Sequence, residues 1–129
     1  MSKFYMWWNE PIEKQFYSNI EAVEVIKKII LTITGVPFSQ FNTNSRKREL
    51  VFARQLMIFM IRKHTSMNLT AIGQIFKRKY ENHIKFRTEY RGLDHSTVIH
   101  AINLMEDILT SFAKTREQQQ IKNAIELWK

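Results

Sequence analysis

The segment covering residues 49–64 constrains the fold of this chain more than any other. Almost every residue at positions 50–61 is apolar, so a helix wound from this segment is apolar on nearly all sides. Such a helix is covered on every side and lies at the centre of a domain. Arg54 and Gln55 are the exceptions, and inside a buried helix they need partners or a route to the surface. We therefore predict that the other elements pack around this helix.

Apolar residues recur at helical spacing in four other segments, and most of these segments have residues suited to a helix end. Ser18 or Asn19 precedes a segment that Gly35 ends, and Asn68 and Asp94 precede two others. We predict an all-α fold, a compact domain of five to six helices. The expected inward-facing residues outside the central helix are Val23, Ile26, Ile30 and Ile33, then Leu69, Ile72, Ile75 and Phe76, then Val98, Ala101, Ile102, Met105, Ile108, Leu109 and Phe112, and finally Ile121, Ala124, Ile125 and Trp128.

The length of 129 residues fits one domain with a sizeable core. Residues 1–17 are rich in aromatic side chains, which we interpret as a strap packed on the core rather than as a base-stacking platform. Residues 18–129 form the predicted domain, and its first helix is expected to begin at residue 20. The side chains expected to be most deeply buried are those of Leu56, Ile58, Ile61, Ile72, Val98, Ile102 and Met105.

The positive charge is concentrated in the middle of the chain. Residues 1–45 and residues 101–129 each balance four basic groups with four acidic ones, whereas residues 46–100 carry twelve basic and four acidic groups. That middle segment therefore supplies the whole net charge of +8. A focused positive surface favours a polyanionic partner, most often nucleic acid, although solubility or an anionic membrane would also account for it.

The sequence lacks the residues that several classes of function need. The chain has no cysteine, so it offers neither a disulfide framework nor a thiolate metal site. His64 and His83 stand apart from other ligands, and His95 and His100 are five residues apart, outside the spacing of four that places two ligands on one helix face. The acidic residues form no recognisable acid–base pair. We expect a protein that is not an enzyme, with no cofactor, no metal and no small-molecule substrate.

The N-terminal residues show no signal-peptide pattern, because their apolar members are aromatics interrupted by polar residues and a proline. The longest apolar stretch is interrupted by Arg54 and Gln55, so no membrane span is predicted. We expect a soluble cytoplasmic protein with no membrane partner.

Residues 92–101 contain a polar helix face. Asp94 is a suitable N-cap, because its carboxylate accepts hydrogen bonds from amides two or three residues further on. A rotation of about 100° per residue places Ser96, His100 and Asn103 opposite the apolar stripe of the same helix. Small hydroxyl, imidazole and amide groups suit the reading of base edges in a major groove, although the same face could be an ordinary solvated one.

A short helix, a connection and a polar-fronted helix together form a helix-turn-helix candidate. Three blocks of the sequence, residues 46–55, 69–76 and 92–101, also resemble in order and spacing the C-terminal DNA-binding domain of the bacterial replication initiator DnaA. The run Asp94-His95-Ser96-Thr97-Val98, followed by His100, is the most specific of them. With the flanking helices, the resemblance covers about residues 20–128.

The resemblance implies roles for residues that read DNA. Arg46 corresponds to the arginine of a basic loop that enters the minor groove. Asp94, His95 and Ser96 correspond to residues that read bases in the major groove, and His100 corresponds to the second histidine of that site. The side chains of Asp94 and Arg46 are chemically suited to these roles. A carboxylate can accept a hydrogen bond from a cytosine amino group, and an arginine suits a narrow minor groove.

The resemblance also implies positions that hold the DNA backbone. Arg62 and the helix start at Leu69 and Thr70 correspond to such positions, and amides at a helix N-terminus can bind a phosphate. The other candidate DNA-binding residues are Arg48, Arg54, Lys77, Arg78, Lys79, Thr97 and Asn103.

The sequence departs from the family at two places. The family joins its two helices by a tight glycine-containing turn, whereas this chain inserts about fourteen residues within positions 77–91, which carry six basic and two acidic groups. Leu93 stands where the family commonly has a basic residue.

We expect an ordered insertion with a helical extension to about Ile84 and then an extended return, packed on the body by Phe86 or Tyr90. Its basic groups are expected on the same side as Arg46 and His95.

The interpretation that fits these observations is a sequence-specific, double-stranded DNA-binding module at the nucleoid, connected by its resemblance with replication initiation. The chain has three glycines, and they form no phosphate-binding loop, so no ATPase site is predicted. The alternative is a protein-interaction module that kept the fold and lost base readout. A protein partner would then use the N-terminal aromatic residues or the insertion 77–91.

Overall fold

The computed structural model describes residues 12–41, 47–82 and 87–128. Within these ranges the predicted all-α domain is confirmed, with five α-helices, a short 3-10 helix and a two-stranded β-ribbon in the insertion. The α-helices are α1 (Ile12–Thr34), α2 (Arg48–His64), α3 (Leu69–Ile75), α4 (His95–Thr110) and α5 (Arg116–Trp128), the 3-10 helix is Phe38–Gln40, and the strands are β1 (Arg78–Asn82) and β2 (Arg87–Arg91).

The central position that composition predicts for α2 is confirmed. Nine of its residues are buried, and α1, α3, α4 and α5 all pack against it. The predicted core residues Leu56, Ile58 and Ile61 are at most 1% exposed. Arg54 is also among the nine buried residues of this helix. Burial of α2 on all sides therefore organises the domain.

The first helix begins at Ile12, so the prediction of a helix start at residue 20 is wrong. Ser18 and Asn19 lie inside α1, because short polar residues suit a cap but are also tolerated within a helix. Proline is common at helix starts, and in this sequence Pro11 directly precedes Ile12. Residues 12–17 of the predicted aromatic strap thus belong to α1, while residues 1–11 lie outside the described residues.

An aromatic cluster holds the end of α3 against the loop that follows α1. The ring centroids of Phe38, Phe41 and Phe76 lie 5.6 to 6.2 Å apart, and Phe41 and Phe76 are fully buried. Lys27 of α1 places its Nζ 4.2 Å from the centroid of the Phe38 ring. This cluster fixes the point where the chain leaves α3 and enters the insertion.

The predicted apolar stripe of α4 is buried only in part. Val98 and Met105 are fully buried, as predicted, whereas Ile102 is only half-buried against the core. Phe112, which was expected to continue the stripe, is fully exposed. The helix ends at Thr110 and the next residue has extended backbone, so Phe112 no longer follows the helical repeat.

The C-terminal end of α4 is capped by a side chain of α5. Nε2 of the buried Gln118 donates to the carbonyl oxygens of Ile108, Leu109 and Ser111 at 2.9 to 3.2 Å. The last carbonyls of a helix lack partners within the helix. One amide group therefore closes α4 and fixes the start of α5, which buries its predicted positions 121 and 124.

The prediction that the insertion continues as a helix to Ile84 is wrong, because positions 78–82 form a β-strand. α3 ends where the Phe76 amide bonds to the carbonyl of Gly73, three residues back, and the backbone leaves the helical repeat. The predicted extended return is confirmed as β2. Aromatic and β-branched residues such as Tyr80, Thr88 and Tyr90 favour paired strands. Residues 83–86, with Ile84 and Phe86, lie outside the described residues, and so does the predicted packing by Tyr90.

The two strands of the insertion pair along their whole length. The register is antiparallel and runs from Arg78 opposite Arg91 to Asn82 opposite Arg87. The ribbon consequently leaves the body and returns to it at one place, so the insertion lengthens the chain without separating α3 from α4.

Candidate nucleic-acid interface

The N-termini of α3 and α4 lie side by side. The side chain of Asn68 accepts from the amide of Ala71 at 2.8 Å, and Asp94 Oδ1 accepts from the amide of Thr97 at 2.9 Å, which confirms both predicted N-caps. Between the two helix starts, Thr70 Oγ1 and His95 Nε2 are 2.5 Å apart. The first residue of the polar-fronted helix is therefore hydrogen-bonded to the first turn of the preceding helix.

A close backbone crossing sets the angle between these helices. The amide of Leu93 donates to the carbonyl of Gly73 at 3.0 Å. A Cβ on Gly73 would overlap the carbonyl oxygen of Leu93, and a Cβ on Gly92 would lie 2.7 Å from the carbonyl oxygen of Gly73. The absence of a side chain at Gly73 therefore admits a close neighbour, which is the backbone at positions 92 and 93. Leu93, where the family commonly has a basic residue, packs instead against the core.

The outer face of α4 is exposed and short-chained at its N-terminal end. Val98 and Ala101 face inward and are buried, whereas the side chains predicted for base reading are exposed. Ile99 is 43% exposed and adds an apolar patch to this face. The exposed residues of the face are His95, Ser96, Thr97, Ile99, His100 and Asn103.

Exposed positive groups lie near both ends of α3. Arg62 is exposed at the end of α2, and its Nη1 lies 3.5 Å from the carbonyl oxygen of Met67, in the loop that leads to α3. Lys63 beside it and Lys77 at the base of the ribbon are also exposed. Composition alone did not single out Lys63, because one lysine at a helix end is also expected from the helix dipole.

Some of the other predicted site residues lie away from the starts of α3 and α4. Arg48 is at the opposite end of α2 from Arg62, about 21 Å away by helical rise, and its Nη2 lies 3.8 Å from a carboxylate oxygen of Glu117. Arg54 is 8% exposed, so the structure gives it no surface from which to touch DNA. Arg46 lies outside the described residues. Lys79 occupies the strand position next to Arg78 and hence the opposite face of the ribbon.

The capping hydrogen bond changes the acidity of Asp94. The backbone amide of Thr97, followed by its side chain, holds the pKa of the Asp94 carboxyl below its usual value of 3.8. Folding thus favours the ionised form of this carboxylate. The ionised Asp94 carboxylate therefore stabilises the folded state. This stabilisation is fully present at pH values above the pKa of Asp94 in the unfolded chain, and it is lost as the pH falls through the lowered pKa of the folded state.

Replacing Asp94 with Asn is expected to remove this pH dependence while keeping the cap, because the two residues are similarly good N-caps. The unchanged protein should have the higher Tm near neutral pH, and its advantage should shrink below about pH 4. Thermal unfolding followed by circular dichroism from about pH 7 to pH 3 measures the difference. A Tm difference that stays constant over this range would contradict the assignment.

Among the described residues, histidines and carboxylates form no cluster of three or more that could hold a metal ion. No helix in the described part of the chain is long and apolar enough to span a membrane. His64 instead stacks its ring on that of Trp128, with centroids 4.4 Å apart.

Comparison with known proteins confirms the resemblance seen in the sequence. The family described as bacterial dnaA protein helix-turn-helix matches residues 23–81, a range that ends before α4. Three proteins named chromosomal replication initiator protein DnaA are similar to this chain. The protein of Oleidesulfovibrio alaskensis is 37% identical over 70% of the chain, that of a Picosynechococcus species is 31% identical over 72%, and that of Streptococcus mutans is 30% identical over 80%. The chain spans only 22%, 18% and 20% of those relatives. No solved structure matches the chain significantly.

Proposed function

We propose that this chain, whose residues 23–81 match the family described as bacterial dnaA protein helix-turn-helix, binds double-stranded DNA and recognises a specific sequence. The main support for this proposal is the way in which the first residue of α4 is held. The exposed polar face of α4 begins at His95, which is hydrogen-bonded to Thr70 of the neighbouring helix. A reading helix held in this way presents its side chains in a fixed orientation, which base recognition in the major groove requires.

The residues at the start of α4 have the chemistry for major-groove contacts. Ser96 and His100 offer groups for purine edges, and the exposed Ile99 suits the methyl group of thymine. Asp94 uses Oδ1 for its cap, and a carboxylate has further lone pairs that can accept from a cytosine amino group. In this proposal about three or four side chains of α4 reach base edges, as is common for recognition helices.

The residues around the start of α3 are proposed to position the DNA backbone. Arg62 and Lys63 lie in the last turn of α2, beside the loop leading to Leu69 and Thr70, so their charges lie near the start of α3. Phosphate contacts of this kind set the register of a protein on the duplex. By resemblance, Arg46 is proposed to enter the adjacent minor groove, where a narrow groove attracts arginine.

Replication control is the setting that we propose for this activity, because the similar proteins are named replication initiators. The family match covers residues 23–81, and the three glycines of the chain form no phosphate-binding loop. The proposal is accordingly a DNA-binding module without its own ATPase site. It would act on chromosomal DNA at the nucleoid.

The test separates affinity from specificity. Arg62→Ala is expected to weaken binding to every duplex by the same factor, because a phosphate contact carries no base information. His95→Ala and Ser96→Ala are expected to lower the preference at one or two base pairs by about 1–3 kcal/mol. A preferred duplex is first selected from a random library with the unchanged protein. That duplex and its single-base variants are then titrated with each protein.

Two controls make the comparison specific. Lys114→Ala removes an exposed charge in the loop after α4 and should leave both affinity and preference nearly unchanged. Thr70→Val should lower sequence preference in the way that His95→Ala does, whereas Thr70→Ser keeps the hydroxyl and should not. If His95→Ala weakens all duplexes equally, the major-groove assignment is wrong. If the library contains no preferred duplex, the protein-interaction alternative is favoured.

A further inference from the structure

The two faces of the β-ribbon differ in charge. In an antiparallel ribbon, directly paired positions share a face, and successive positions along a strand alternate between faces. The register therefore assigns three arginines and one glutamate to one face, which we name the arginine face, and one lysine and one glutamate to the other. The arginine face consists of Arg78, Tyr80, Asn82, Arg87, Glu89 and Arg91, and the other face of Lys79, Glu81, Thr88 and Tyr90.

The arginine face is unfavourable for an isolated ribbon. Arg78 lies directly opposite Arg91, and like charges at directly opposite positions destabilise strand pairing. A two-stranded ribbon is only marginally stable by itself. Residues chosen only for the stability of the ribbon would avoid this pair, whereas a bound polyanion would neutralise it.

The base of the ribbon lies beside the proposed reading helix. β1 follows the buried Phe76 and the exposed Lys77, and β2 leads into Leu93, whose amide is bonded to Gly73. The ribbon therefore starts between the end of α3 and the N-terminus of α4. Five strand residues at about 3.3 Å each extend roughly 16 Å, which is far enough to reach phosphates outside the base pairs under α4.

We propose that the β-ribbon is a wing that binds the sugar-phosphate backbone of DNA, through its arginine face, next to the base pairs read by α4. The inference rests on the proposed DNA binding and extends it to a second contact surface. Arginine suits this role because its planar guanidinium donates two hydrogen bonds to a phosphate. Lys79 is assigned no phosphate contact, since its position is on the other face.

The test compares two triple variants that remove equal charge. Arg78→Ala/Arg87→Ala/Arg91→Ala alters the arginine face, and Lys28→Ala/Lys114→Ala/Lys122→Ala alters three exposed lysines on α1, the loop after α4, and α5. The arginine variant should flatten the slope of log K against log salt by about two to three units, near 0.9 for each lost phosphate contact. The lysine variant and the single variant Lys79→Ala should keep the slope. Hydroxyl-radical footprints should lose protection beside the α4 site only with the arginine variant.

A stability measurement distinguishes a binding role from a structural one. Arg91→Thr removes the opposed like charges and introduces a residue that favours strands. The Tm of the free protein should stay the same or rise, while the salt slope flattens by about one unit. A lower Tm together with an unchanged slope would assign Arg91 to the ribbon's own structure and overturn the proposal.

The outcome for the wing is separable from that for the reading helix. If the arginine variant keeps the slope and the footprint while Ser96→Ala still loses sequence preference, the wing is wrong and the proposed function stands. If the unchanged protein binds no duplex, both proposals fail. If both triple variants flatten the slope equally, the effect belongs to net charge and the wing is again wrong.

Discussion

Raising the salt concentration from about 50 mM to 200 mM is expected to lower the affinity of this protein for double-stranded DNA roughly a thousandfold. The reason is counterion release, because each phosphate neutralised by a basic side chain frees condensed cations into the solution. About six phosphate contacts give a slope of roughly −5 in log K against log salt. Arg62, Lys63 and Lys77 are exposed near the start of α3 or the base of the ribbon, and the arginine face supplies three further groups.

Equilibrium titration of a labelled random-sequence duplex at several salt concentrations measures this slope. The variant Lys28→Ala/Lys114→Ala/Lys122→Ala serves as the control, because it lowers net charge without altering the interface. Its slope should equal that of the unchanged protein. Binding that does not respond to salt, or no binding at low salt, would favour the protein-interaction module.

Replacing Gly73 with Ala is expected to lower the free energy of unfolding by about 2 kcal/mol and to weaken DNA binding more than tenfold. In a helix this substitution normally stabilises by nearly 1 kcal/mol. Here the added Cβ overlaps the backbone carbonyl of Leu93, which no side-chain rotation can relieve. The start of α4 must then move away from α3, and the hydrogen bond between Leu93 and Gly73 and the contact between Thr70 and His95 are both disturbed.

Gly35→Ala is the matched control for this prediction. Gly35 has φ +76°, and a Cβ built there meets no heavy atom within 4 Å. The substitution should cost about 1 kcal/mol, because the left-handed backbone disfavours a side chain, and DNA affinity should not change. Chemical denaturation and duplex titration of both variants provide the measurement. A Gly73→Ala protein that is more stable than the unchanged one would contradict the proposed crossing.

Features that depend on neighbouring residues were predictable from the sequence. The central helix follows from the run of apolar residues at positions 50–61, and the caps at Asn68 and Asp94 follow from side chains that bond to amides three residues away. The exposed face of α4 follows from the helical repeat in the same way. The resemblance to the DnaA family then led us to propose DNA contact for that face.

Local sequence patterns gave wrong predictions where two interpretations of the secondary structure fitted the residues equally well. Ser18 and Asn19 suit a cap but lie within α1. Phe76, Tyr80 and Ile84 are spaced by four, which suits a helix, yet the chain leaves α3 at Phe76 and pairs as strands. The pairing of β1 with β2 decided this, since it bonds amides to carbonyls of a segment several residues away, and spacing within one segment does not reveal such a partner.

By itself, the sequence indicated most of the helical segments, the helix that is central and the face of α4 that is polar and exposed. Only the tertiary structure decided that Arg54 is buried, that Gln118 caps α4, and that Gly73 crosses Leu93 so closely that an insertion of about fourteen residues leaves α3 and α4 in contact. Helical periodicity and capping involve residues within one turn of each other, so both can be predicted from the composition and spacing of a single segment. Contacts between distant residues depend on how the whole chain packs, and no spacing within one segment encodes them.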